Sequence, residues 1–120
     1  MNESRKAPRG GALGGVIKFN SDGAFYSSRS KAVFGVIARD SDGIARWWFS
    51  GKVIASSALF VEAWALHIAC VAARDLGLTE AIFETDCLEL VNNVCTNQST
   101  SSWEIYAIVE DIRSLSFGCN

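Results

Sequence analysis

Nowhere does this chain offer the ~18 uninterrupted apolar residues that a membrane-spanning helix needs, and its N-terminus lacks the continuous apolar core of a secretory signal. The expectation is an intracellular, soluble protein with no membrane partner. An excess of charge of one sign is also missing. The formal net charge is -2, so the chain has no basic footprint of the kind a high-affinity duplex binder carries, and any contact with nucleic acid has to be local. Four cysteines are present, Cys70, Cys87, Cys95 and Cys119, but no C-x-x-C pair. That spacing argues against a zinc site and against a disulfide scaffold. Read as buried thiols, the cysteines imply no disulfide-linked partner, and a monomer is assumed. The only proline lies in MNESRKAPRGGALGG (residues 1–15), among clustered glycines and without helical or strand period. This stretch reads as a flexible leader, leaving residues 16–120 as the folded domain. Internal repeats and low-complexity tracts are absent.

What is present is the composition of one soluble globular domain, with 120 residues, 49% hydrophobic and 20% charged, enough to bury a core but too short for two domains. VIKFN (residues 16–20) reads as a first strand. The tripeptide Ser-Asp-Gly follows it, and recurs between AVFGVIARD (32–40) and IARWWFSGKVI (44–54). The second copy, flanked by two strand-like runs, reads as a hairpin turn in which Asp42 and Gly43 need no function. The first copy precedes a polar loop and puts Asp22 at a strand exit, as a turn residue or as something more. SSALFVEAWALHIACVAARDLG (56–77) reads as a long helix with Ser57 as N-cap and Gly77 just past its end. Residues 80–86 read as a fourth strand, 87–95 as a short helix and 103–116 as a last helix with a capping box from Ser101 and Glu104. Strand alternation in 44–54 turns one of Trp47 and Trp48 inward and the other outward, more as cover for a neighbouring element than as a stacking platform.

This order implies a mixed sheet, three antiparallel strands and then a crossover helix leading to a strand parallel to the first. Sites in such sheets form at the carboxyl ends of parallel strands, which is where Asp22 and Asp86 fall. On the long helix an apolar seam runs through Leu59, Leu66, Ala69, Ala73 and Leu76, and Glu62 interrupts it with no lysine or arginine within a turn. Asp86 with Glu89 also makes a good capping box, so a structural role is as open for it as for Asp22. Together the three acids would repel one another unless a divalent cation neutralised them. An all-oxygen donor set suits Mg²⁺ or Mn²⁺. His67, mid-helix and off the seam, reads as a surface or half-buried residue with no catalytic part.

Four stretches in this order, FNSDGAF, VFGVIARDSDGIARWWFSG, VEAWAL and FETDCLELV, resemble the type 1 ribonuclease H domain, and most nearly its plant reverse-transcriptase-like, retroelement-type group. The resemblance spans residues 16–117. It implies a five-stranded sheet flanked by helices and metal-dependent hydrolysis of the RNA strand of an RNA/DNA hybrid. Asp22, Glu62 and Asp86 would be the catalytic, metal-binding carboxylates, and Gly23, Ser57 and Thr85 would contact backbone or phosphate. It also implies a C-terminal segment with a fourth ligand and a loop histidine, and neither occurs in SLSFGCN (114–120). The expectation is therefore a ribonuclease H-like α/β domain short of its usual end and impaired by that loss. The alternative is an inactive nucleic-acid-binding relic of such an enzyme.

Overall fold

A computed structural model describes residues 3–6, 15–96 and 102–115. In chain order the elements are β1 (Glu3–Lys6), β2 (Ile17–Tyr26), β3 (Lys31–Arg39), β4 (Ala45–Ile54), α1 (Ala58–Asp75), β5 (Ala81–Glu84), α2 (Leu88–Cys95) and α3 (Trp103–Ser114). They build one sheet of order β1-β4-β3-β2-β5. β1, β4, β3 and β2 pair antiparallel in that order, and β5 lies parallel to β2. The expected mixed sheet and crossover helix are therefore present.

Side chains alternate along each long strand, as a half-buried sheet requires. Ile17 and Phe19 on β2, Ala32, Phe34, Val36 and Ala38 on β3, and Trp47 and Phe49 on β4 turn to one buried face. The helices cover that face. The Phe19 and Phe83 rings stack with centroids 5.2 Å apart, which fastens β5 to β2 and fixes the exit of β5 beside β2. Trp47 is buried and Trp48 faces outward, as alternation requires.

α1 is buried on two sides, not along one seam. Val61 and Ala65 pack with Ala32, Phe34 and Ala55, and Ala69 and Ala73 with the Phe19, Val36 and Trp47 cluster. On the other side Ala63, Leu66 and Cys70 meet Leu90 of α2 and Ile105, Val109 and Ile112 of α3. Four alanines with no exposed surface let backbones approach from both directions. Leu76, expected on the seam, is 38% exposed. The N-cap is as expected: the Phe60 N–H donates to the Ser57 hydroxyl at 3.1 Å, and Gly77 takes a positive φ of 71° beyond the helix end.

Five further expectations need correction. β2 does not stop at residue 20. It runs on through Ser-Asp-Gly to Tyr26, because β3 continues to pair with it, Asp22 standing opposite Gly35. The second Ser-Asp-Gly is not a two-residue primed turn. Asp40 and Ile44 close a three-residue connection in which Gly43, at φ 81°, follows a turn closed by its N–H to the Asp40 carbonyl. Within the stretch read as a flexible leader, Glu3–Lys6 forms edge strand β1, since main-chain pairing at a free sheet edge asks for no side-chain alternation. The last helix is capped by Ser102, whose hydroxyl accepts from the Ile105 N–H at 3.5 Å; Ser101 lies outside the described residues. Finally, the cysteines are not all buried thiols. Cys70 is, and burial pushes it up to about 12. Cys87 is half-buried and free, while Cys95, exposed at the end of α2, is disulfide-bonded.

Candidate metal centre

The parallel pairing of β2 and β5 ends at Asn20 opposite Glu84. Beyond that point β2 continues alone on this side, and β5 turns away through Thr85 and Asp86 into α2. The divergence opens a cleft of about 340 Å³ lined by Asn20, Ser21, Asp22, Glu84, Thr85 and Asp86. Glu62, in the second turn of α1, reaches the same place from above. One carboxylate oxygen from each of Asp22, Glu62 and Asp86 lies within 4.8 Å of the others.

The approach of α1 to β2 depends on Gly23. A Cβ there would sit 2.9 Å from Cγ2 and 3.0 Å from Cγ1 of Val61, and 3.2 Å from Glu62 Oε1. With no side chain in the way, the Gly23 N–H donates to Glu62 Oε1 at 2.8 Å and to Asp22 Oδ1 at 2.9 Å. One amide thereby orients two carboxylates. Thr85 holds the other Glu62 oxygen, its hydroxyl donating to Oε2 at 3.4 Å while accepting from the Cys87 N–H at 3.2 Å. Thr85 thus ties the start of α2 to α1.

The Asp86 capping box does not form. Cys87, not Asp86, is the N-cap residue of α2, and the Asp86 carboxylate is exposed on the cleft. Its local alternative as a cap is removed, as is the turn alternative for Asp22, which stands within a paired strand. Burial pushes the Glu62 carboxyl above its ordinary range, opposed by the Gly23 hydrogen bond, while the charges of Asp22 and Asp86 add to the rise. Among the described residues no lysine or arginine pairs with any of the three. Lys18, the cation nearest in the strand pattern, bridges Glu84 at 3.1 Å.

Three convergent carboxylates without a counter-ion, two of them exposed on a cleft, form an all-oxygen donor set that fits a hard divalent cation and leaves room for its waters. Of the residues singled out in the sequence, Asp22, Glu62, Asp86, Gly23 and Thr85 come together here. Ser57 does not, being occupied as the cap of α1. His67 is elsewhere, half-buried with Nε2 3.2 Å from Asp111 of α3. Sequence reasoning missed Asn20 and Glu84 in the cleft wall, joined by a 3.1 Å hydrogen bond. Period-two alternation does place Asn20 on the face of Asp22, but the register that brings Glu84 opposite it is a property of the parallel pair.

The reverse transcriptase-like family model matches residues 20–117. No curated protein sequence matches the chain. Among solved structures, the chain is similar to ribonuclease H1 from the halophilic archaeon Halobacterium salinarum, with a TM-score of 0.77 and 20% identity over 84% of this chain and 76% of that one. It is similar to the N-terminal ribonuclease H domain of a Mycobacterium tuberculosis protein, with a TM-score of 0.76 and 16% identity over 84% and 73% of the two chains. A third likeness, with a TM-score of 0.69 and 18% identity over 82% and 76%, is to a ribonuclease H1 solved in complex with an RNA/DNA hybrid. The fold is that of type 1 ribonuclease H, and the chain belongs to the reverse transcriptase-like family.

Proposed function

We propose that this protein is a divalent-metal-dependent endonuclease that hydrolyses the RNA strand of RNA/DNA hybrids, with Asp22, Glu62 and Asp86 as its catalytic carboxylates. The observation that carries the reading is their convergence within 4.8 Å on an open cleft. Family membership and the similarity to a ribonuclease H1 complexed with a hybrid support the choice of substrate. The three residues would hold Mg²⁺ or Mn²⁺, which when bound supplies Lewis-acid stabilisation of a phosphoryl transition state and lowers the pKa of the attacking water. The chain's own part is positional. Glu62, clamped by Gly23 and Thr85, keeps one donor fixed while the exposed Asp22 and Asp86 flank the place a scissile phosphate would take. Gly23, Thr85 and Ser57 enter the reading through this scaffold, the first two on Glu62 and the last at the start of its helix. A shallow minor groove lined with 2′-hydroxyls would distinguish the hybrid from duplex DNA without base reading.

A second reading, nucleic-acid binding without turnover, draws on the donor set itself, which among the described residues numbers three carboxylates. One experiment separates the two. Purified protein is incubated with end-labelled RNA/DNA hybrid, duplex RNA and duplex DNA in Mg²⁺ and in Mn²⁺, beside Asp86→Asn and an EDTA control. The enzyme reading expects cutting of the hybrid's RNA strand alone, abolished by EDTA and reduced at least about a hundredfold by Asp86→Asn. Folded protein that binds the hybrid and leaves it intact sinks the enzyme reading in favour of the second.

A further inference from the structure

The open face of the sheet carries a feature that the three carboxylates do not use. Tyr26, Lys31 and Ile54 stand opposite one another on β2, β3 and β4, and Val33 and Lys52 form the next row towards the cleft. Because residues two apart on a strand share a face, Tyr26 points to the same side as Asp22. Tyr26 is 55% exposed and Ile54 80%. With Arg29, on the 3₁₀ turn at Ser27–Arg29, these side chains line a groove of about 970 Å³ whose walls contain no carboxylate. The turn is tied to the end of β4, the Ala55 N–H donating to the Ser30 carbonyl at 2.9 Å.

Arg29, Lys31 and Lys52 make no ion pair among the described residues, whereas Lys18, Arg46, Arg74 and Arg113 each do. In a chain of net charge -2, three cations around one apolar floor are a local concentration of positive charge that attracts a polyanion. An exposed tyrosine between them offers a ring to a base or sugar.

We propose that the Arg29, Lys31 and Lys52 groove is an accessory nucleic-acid-binding surface that holds the backbone of the hybrid whose RNA strand lies at the carboxylates. The proposal rests on the hybrid reading above. Tyr26 lies four residues beyond Asp22 on β2, roughly 13 Å at the strand rise of 3.3 Å per residue, or about four steps of 3.4 Å along a duplex. The groove therefore grips phosphates flanking the one at the cleft. It gives an acidic protein its hold on substrate.

The test is fluorescence anisotropy with the full chain in EDTA, so that neither metal nor turnover enters, using a labelled hybrid of about 20 base pairs over a range of salt. A parallel arm measures binding to phosphatidylserine vesicles. The variants are Arg29→Gln/Lys31→Gln/Lys52→Gln and the single charge reversal Lys52→Glu as a check should the triple variant unfold. The expected result is at least a tenfold weaker hold on the hybrid by the triple variant. The slope of log affinity against log salt should fall by about 2 to 3, near 0.9 for each phosphate no longer neutralised. Equal affinity and slope for wild type and triple variant overturns the proposal, as does absence of hybrid binding by the wild type. A triple variant that no longer binds the vesicles but holds the hybrid as before overturns it too, by assigning the groove to a membrane surface. Hybrid bound through the groove but never cut leaves this proposal standing and removes the catalytic one.

Discussion

Gly23 is where strand and helix come closest, and its missing side chain does two things at once. It admits Val61 and Glu62 to within 2.9–3.2 Å of where a Cβ would be, and it leaves an N–H free to orient Glu62 and Asp22. Nothing in the tripeptide distinguishes this glycine from Gly43, because the requirement comes from α1, 39 residues away. Gly23→Ala is expected to destabilise the fold by about 1–3 kcal/mol, as overpacking does, and to weaken metal binding by displacing the Glu62 carboxylate. Thermal unfolding with and without Mg²⁺ checks both: an unchanged melting temperature and an unchanged metal-induced shift would refute the close-contact account. Thr85 illustrates the same limit on sequence reading. As one residue in FETD it resembles a candidate phosphate contact, and only the fold shows its hydroxyl bridging Glu62 and the Cys87 amide.

At the scale of elements, α1, α2, α3 and the strand core were legible because periodicity is local, although of the expected helix caps only that of α1 formed. Ser57 and Gly77 bound α1 as their residue types suggest. What was not legible depends on partners distant in sequence. β2 continues through Ser-Asp-Gly because β3 pairs with it, and β1 exists because β4 offers an edge. The β3–β4 connection is organised by Asp40 more than by Asp42. Its carboxylate accepts from the Asp42 and Ile44 amides and from Arg46 Nε at 2.7 Å. The Arg46 hydrogen bond, followed by the Ile44 amide, holds its carboxyl below the ordinary carboxylate range. A group depressed in the folded state contributes stability above its unfolded pKa of about 3.9, and that contribution is lost as pH falls through the folded value. Asp40→Asn is therefore expected to melt below wild type at neutral pH, with the difference shrinking as pH drops under about 4. Unfolding curves from pH 7 downwards check this, and a difference that stays constant with pH would contradict it.

For the whole molecule, what matters is where charge is left uncompensated. A net charge of -2 says little about binding, since the fold sorts charges into two separate features: three acids where β2 and β5 diverge beside α1, and three cations around the groove at the end of β2. No helix among the described residues is long and apolar enough to cross a membrane. Glu62 was legible as a charge within an apolar seam, whereas Asp22 and Asp86 each had a local structural reading and were marked only by the joint pattern and the family resemblance. The cations were not, because Arg29, Lys31 and Lys52 look like ordinary surface residues until strand register sets Lys31 and Lys52 in neighbouring rows and the turn brings Arg29 to the same groove. The central claim is that Asp22, Glu62 and Asp86 act as one divalent-metal site, and the most direct test is calorimetric titration of Mn²⁺ into wild type and Glu62→Gln. The account predicts saturable binding by the wild type that is lost in the variant, together with a higher melting temperature for the metal-free variant, because a costly carboxylate has been neutralised. Mn²⁺ binding equally well to both proteins would contradict it.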